Sequence, residues 1–414
     1  MSLTQERATD TPETEYLPFC LPLIGEEEIA AVVECLRSGW ITTGPRTKQF
    51  ETEFAEFIGA KYAVALNSCT AALHLALEAL GLRAGEEVLV PTVTFAATAE
   101  VVRYLDARPV LIDCDPHTLN IDLNAVRAYL EEQCSPGDDG LYNRATGARV
   151  RAIIPVHYAG LPCPMEPLME LARQYNLRVV EDTAHAFPAY IRGRAAGTFG
   201  DIGAFSFYAT KTITTGEGGM LTTDDEELAQ RARLMSLHGI SRDAWLRYTA
   251  QGSWYYEILE PGYKYNLTDI ASALGLEQLR RANELWQVRS AYARRYSEAF
   301  RDLPELEVPA EAPPGYEHAW HLYVVQLNLD RLKIDRAEFI EEFRRRQIGT
   351  SVHFIPLHLH PYYRDTYGYR PEHLPVASAV YPRLLTLPLY PKMTEGDVER
   401  VIRAVREVVD AHRR

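Results

Sequence analysis

Three short stretches of this 414-residue chain carry residue types able to do chemistry, and each follows an apolar run with the look of a strand. Asn67-Ser68-Cys69-Thr70 follows YAVAL (62–66) and opens a helical pattern. Exposed N–H groups and small hydroxyls at a helix start suit an anion such as phosphate; an ordinary helix cap uses the same residues. Glu181-Asp182-Thr183-Ala184-His185 closes LRVVED (177–182). Carboxylates there can point into a crevice or simply cap a helix. Lys211 stands just past GAFSFY (203–208) and ahead of TITTGEGGM. Such a lysine is either a desolvated amine nucleophile or a solvated surface residue. Phe95, in PTVTFAATAE, offers a ring for stacking or plain core packing.

The elements that must position these residues alternate strand and helix. Apolar runs at 62–66, 87–91, 107–113, 151–156, 177–182, 203–208 and 218–223 are separated by helical patterns such as TAALHLALEALG and PLMELARQYN. This predicts an α/β fold with a mostly parallel sheet covered by helices on both faces. Ligands of such sheets bind where strands end and helices begin, the place of all three stretches. The expected organisation is a frayed tail over 1–17, a large domain over 18–300 and a small α+β domain over 301–414. One long helix is expected from about Thr268 to Phe300, and CSPGDDGLYNRATGARV (134–150) reads as a surface insertion.

Composition narrows the function. Lys and Arg number 43 against 57 Asp and Glu, a net charge of −14, which disfavours nucleic acid and anionic membranes as partners. No apolar run approaches a membrane span, and the polar N-terminus lacks the form of a signal peptide. Six irregularly spaced cysteines suggest free thiols in a reducing cytoplasm rather than a disulfide framework. His353, His358 and His360 match no standard zinc spacing, so no metal is expected. GEGG (216–219) reads as tight turns near Lys211, not a dinucleotide fingerprint. Taken together, an anion cradle, a carboxylate, an amine and a flat ring are what pyridoxal phosphate requires.

SGWITTGP, NSCTAALHLAL, VEDTAHA, FSFYATKTITTGEGGM and GYKYNLTDIASALGLEQL together resemble the DegT/DnrJ/StrS family of sugar-nucleotide aminotransferases, from about Phe19 to the end. The resemblance implies a fold-type-I pyridoxal-phosphate enzyme. It would move an amino group from an amino acid, with glutamate as the expected donor, to the 4-keto position of a nucleotide-linked sugar. By the same resemblance Lys211 is the Schiff-base lysine, Asp182 pairs with the pyridinium nitrogen, and His185 lies near the ring. Ser68, Cys69, Thr70 and Ser206 match the phosphate cradle, with Cys69 where many relatives have glycine or alanine. Phe19, Trp40, Thr42 and His353 match positions near the sugar nucleotide. Lys264, asparagine in many relatives, and Asn266 match a loop that reaches the neighbouring subunit's cofactor, which implies a homodimer with shared sites. Two other functions stay open: a sugar dehydratase of the same family, whose members replace the lysine, and a sensor or regulator without turnover.

Overall fold

All seven expected strands form in the computed structural model of the protein, which describes residues 15–241 and 255–414. They are β1 Tyr62–Leu66, β2 Glu87–Pro91, β3 Arg108–Ile112, β4 Arg149–Ile153, β5 Arg178–Asp182, β6 Ile202–Ser206 and β7 Gly219–Thr223. Their order across the sheet is β1-β7-β6-β5-β4-β2-β3, with β7 antiparallel to both neighbours and the other pairings parallel. The strands are buried almost throughout, as a sheet covered on both faces requires. The expected α/β class therefore holds. Helix α1 spans Glu26–Ser38, α2 Pro45–Ile58, α3 Cys69–Ala79 and α4 Ala97–Tyr104. Helix α3 is apolar on most sides and buried from Ala71 to Leu77, so its N-terminus is held rigidly against the sheet.

The expected helix over 268–300 is two helices, α5 Asp269–Arg280 and α6 Ala282–Phe300. Arg281 breaks the run at φ −99°, ψ 1°, and its guanidinium lies 2.8 Å from buried Glu28 of α1. The two segments serve different cores. Helix α5 packs on α1 and α2, whereas Ala293, Tyr296 and Phe300 of α6 enter a second core built around strands Leu306–Glu307, Tyr323–Leu327 and Leu384–Leu387 and helix Glu395–His412.

The stretch 134–150 is a hairpin, Cys134–Pro136 with Leu141–Asn143, that continues the sheet beside β4. Glu87, fully buried, accepts from Asn143 Nδ2 (2.9 Å), Thr146 Oγ1 (2.9 Å) and Tyr129 OH (3.0 Å), which ties the hairpin down. Of the expected tail, residues 1–14 lie outside the described residues. Leu17 is 3% exposed and pairs with the second core: its N–H donates to Gln347 O and its carbonyl accepts from Gly349 N, both at 2.8 Å. No helix among the described residues is long and apolar enough to cross a membrane.

Candidate active site

Asp182 ends β5, directly opposite Ala204 of β6. It is 5% exposed, accepts from Thr98 Oγ1 of α4 (2.8 Å) and from Ala184 N (3.1 Å). Burial pushes its carboxyl up, while the Thr98 and Ala184 hydrogen bonds and the Lys211 charge pull the other way. The neighbouring Glu181 turns to the opposite face. It is fully buried, accepts from Gly197, Phe199 and Gly200 N–H groups and meets His157 Nε2 at 3.1 Å. The two adjacent carboxylates thus divide into one that faces the site and one that orders the turn leading into β6.

Lys211 sits in the β6–β7 connection. The base of that loop is closed by Phe207 N to Gly218 O (2.9 Å) and Thr215 N to Phe207 O (3.0 Å). Gly216 takes φ 80°, the turn that GEGG supplies. Desolvation lowers the Lys211 pKa to about 8. Its Nζ lies 3.3 Å from His321 Nε2.

Ser68 caps α3, its Oγ accepting from Ala71 N at 3.0 Å, so the capping reading holds for that hydroxyl. The same helix start faces the site: burial first, then the Asp182 charge, raises the Cys69 thiol well above its usual range. A Cβ on Gly219 of β7 would stand 2.4 Å from Ser68 C and 2.5 Å from Cys69 N. Only a glycine lets the strand approach the helix start this closely. An anion cradle of main-chain N–H groups, a buried carboxylate and a buried amine therefore converge, and this donor set fits pyridoxal phosphate. Ser206 accepts from Tyr208 N at 3.3 Å at the end of β6.

His185 is 7% exposed; its Nδ1 accepts from Ala159 N at 3.3 Å, which leaves the proton on Nε2. Burial and the Lys211 charge keep the ring neutral. It stacks on Phe354 at 5.7 Å between centroids, and Phe354 lies 6.0 Å from Phe95, which is 63% exposed and free to cover a ligand. Phe19 and His353 stack on each other at 5.5 Å. Of the histidines of HFIPLHLH, His358 serves packing, hydrogen-bonded through both nitrogens to Thr92 and Ser378 at 2.8 Å, while His353 Nδ1 lies 2.9 Å from Thr386 Oγ1. No group of metal-ligating side chains occurs among the described residues.

The remaining expected residues gather on loops whose main chain adjoins the start of α3, Asn67 N donating to Tyr265 O at 2.7 Å and Asn67 Nδ2 to Lys264 O at 3.3 Å. Trp40, Thr42, Lys264 and Asn266 belong to a loop pair organised by Asp269, which is 1% exposed and accepts from the N–H groups of Gly44 (2.8 Å), Thr47 (2.9 Å) and Arg46 (3.1 Å). Lys264 bonds Asn266, and Asn266 Nδ2 donates to Thr43 Oγ1 at 2.6 Å. Thr42, Lys264 and Asn266 line an open cleft of about 640 Å³ together with Lys48 and Arg233. Sequence reasoning did not find Thr98, Phe354, Gly219, Asp269, Arg289 or His321. Of these, Asp269, at a helix start within GYKYNLTDI, and Gly219, the last residue of GEGG, carried a local signal.

Residues 22–406 match the DegT/DnrJ/EryC1/StrS aminotransferase family. A spore coat polysaccharide biosynthesis protein of Bacillus subtilis is 48% identical over 395 residues, covering 95% of this chain and 97% of its own. Among solved structures, a candidate sugar aminotransferase of Streptococcus pneumoniae in its PLP form superposes with TM-score 0.84 at 32% identity, covering 96% of this chain and 99% of that one. Its PMP form gives 0.85 at 33% identity, covering 95% and 99%. Helicobacter pylori PseC, an aminotransferase involved in the biosynthesis of pseudoaminic acid, gives 0.85 at 27% identity, covering 96% and 100%. The architecture is that of fold-type-I aminotransferases, as the resemblance implied.

Proposed function

Because the chain belongs to the DegT/DnrJ/EryC1/StrS aminotransferase family, we propose that it moves an amino group from L-glutamate to the 4-keto carbon of a nucleotide-linked sugar, with pyridoxal phosphate as cofactor. The observation that carries this reading is the convergence of Lys211, Asp182 and the start of α3 in one buried site. When bound, the cofactor supplies an electron sink. Ser68, Cys69, Thr70 and Ser206 would hold its phosphate. Asp182 would pair with the ring nitrogen, and His185 and Phe95 would flank the ring. Lys211 would hold the cofactor, and its Nζ, when free, would take the proton from the donor's α-carbon. Its retention favours amino transfer over dehydration by relatives that lack the lysine. Phe19 and His353 line the sugar side.

Trp40, Thr42, Lys264 and Asn266 complete the site of a second subunit in a homodimer. Support for this comes from the open cleft that Thr42, Lys264 and Asn266 line, with Lys264 exposed and Trp40 bonded to the adjoining Thr43 O through its indole N–H. The deciding experiment offers UDP-, GDP- and dTDP-linked 4-keto sugars, and the corresponding free keto sugars, with glutamate and reads product mass. One nucleotide series should gain an amine while glutamate becomes 2-oxoglutarate. Equal amination of free sugars would overturn the nucleotide requirement, and amination without 2-oxoglutarate would overturn the donor.

A further inference from the structure

His321 enters the site from a segment held by both cores. Ala319 N donates to Gly160 O (2.9 Å) and Leu322 N to Ala159 O (3.2 Å), while Trp320 between them takes φ 52°. A Cβ on Gly160 would stand 2.8 Å from His185 O and 2.9 Å from Ala319 Cβ, so this clamp admits only glycine there. The imidazole it delivers is 5% exposed, with Nε2 3.3 Å from Lys211 Nζ and Nδ1 without a hydrogen-bond partner among the described residues.

One buried guanidinium braces both ends of that contact. Arg289 of α6, 1% exposed, donates to His321 O (3.2 Å), to Thr210 O beside Lys211 (3.4 Å) and to Leu389 O (2.7 Å). The lysine turn and the histidine are therefore set against each other by a single rigid fork. An ammonium can only donate, so opposite charged Lys211 the Nε2 of His321 must be an acceptor and its proton must sit on Nδ1. Burial and the Lys211 charge hold the imidazole neutral, which keeps that acceptor available.

We propose that His321 is a further catalytic residue, whose Nε2 holds the Lys211 amine whenever that amine is not covalently engaged. A lysine that anchors a cofactor and is then released alternates between two places, and a released buried amine needs an acceptor. The side-chain hydrogen bond that Lys211 Nζ makes here goes to His321 and not to Asp182, which the same reading gives to the ring nitrogen. His321 keeps Nζ in attacking range for its return, which is an orientation effect on a reacting atom. This inference rests on the reading of Lys211 as the cofactor-bearing residue.

The test mixes cofactor-free protein with pyridoxal phosphate and follows the covalent bond by absorbance, with borohydride trapping and peptide mass to locate it. His321→Phe removes the acceptor at similar volume and should slow bond formation roughly tenfold or more, as loss of a hydrogen bond to a charged group predicts. His321→Gln retains an acceptor and should stay within about threefold of wild type. His321→Leu replaces the phenylalanine variant if that fails to fold, and Arg289→Lys, which leaves the ring but breaks the brace, should also be slow. A wild-type rate in the acceptor-less variants, or His321→Gln as slow as His321→Phe, overturns the proposal. A wild-type adduct on another lysine overturns the reading of Lys211 instead.

Discussion

Lys211 is a nucleophile only while uncharged, and burial brings its pKa from 10.5 to about 8. In cofactor-free protein the rate of adduct formation should therefore rise through a midpoint near pH 8. A midpoint near that of an ordinary lysine would refute the buried-amine description. The sign for stability follows: between the folded value of about 8 and the unfolded value of 10.5 the unfolded chain binds the extra proton, so stability rises with pH across that window. Below it the full cost of burying the ammonium is present. Lys211→Ala should abolish both transfer and the borohydride-stable adduct, checked by peptide mass. Asp182→Asn keeps the shape but loses the charge; the adduct should still form while turnover falls by ~10²-fold or more. Near-wild-type turnover would remove Asp182 from its assigned place. Lys211 and Asp182 were legible in the sequence because each lies at the end of an apolar run. Thr98, Arg289 and His321 were not, because each reaches the site from a different element and its meaning depends on packing that no local spacing records.

At the scale of elements, the closest approach in the site is between β7 and the start of α3. Gly219→Ala would place a methyl carbon about 2.4 Å from Ser68 C, with main chain rather than a flexible side chain in the way. It should lower stability by ~1–3 kcal/mol, measured by denaturant titration, and weaken cofactor retention on dialysis. Gly216→Ala, which meets open space at φ 80°, is the control: a backbone cost without loss of cofactor. If both variants retain cofactor equally, the cradle is not shaped by Gly219. Strand positions were readable from continuous apolar runs. The break at Arg281 was not, since both helical halves keep their periodicity and only the pairing of Arg281 with buried Glu28 marks the change. The stretch 134–150 was read as a surface insertion for a similar reason: the anchor of its hairpin, Glu87, lies in a strand far away in sequence.

For the whole molecule, the proposal that Lys264 and Asn266 complete the site of a second subunit makes the dimer testable by mixing. A Lys211→Ala subunit and a Lys264→Ala/Asn266→Ala subunit, each folded and each inactive, should regain activity up to one restored site per hybrid dimer. No recovery after confirmed subunit exchange would argue against sharing. The family resemblance, rather than spacing, carried Lys264 and Asn266, because nothing local distinguishes them from a solvated loop. Leu17 bears on how the molecule is made. Its main-chain partners, Gln347 and Gly349, follow it by 330 and 332 residues, so they leave a ribosome long after it. At about 5–20 residues per second that wait is roughly 20 to 60 s, during which the apolar segment has no native place to go. The second core thus closes around a segment supplied long before it, and the nascent chain carries an unfinished seam until that core is made.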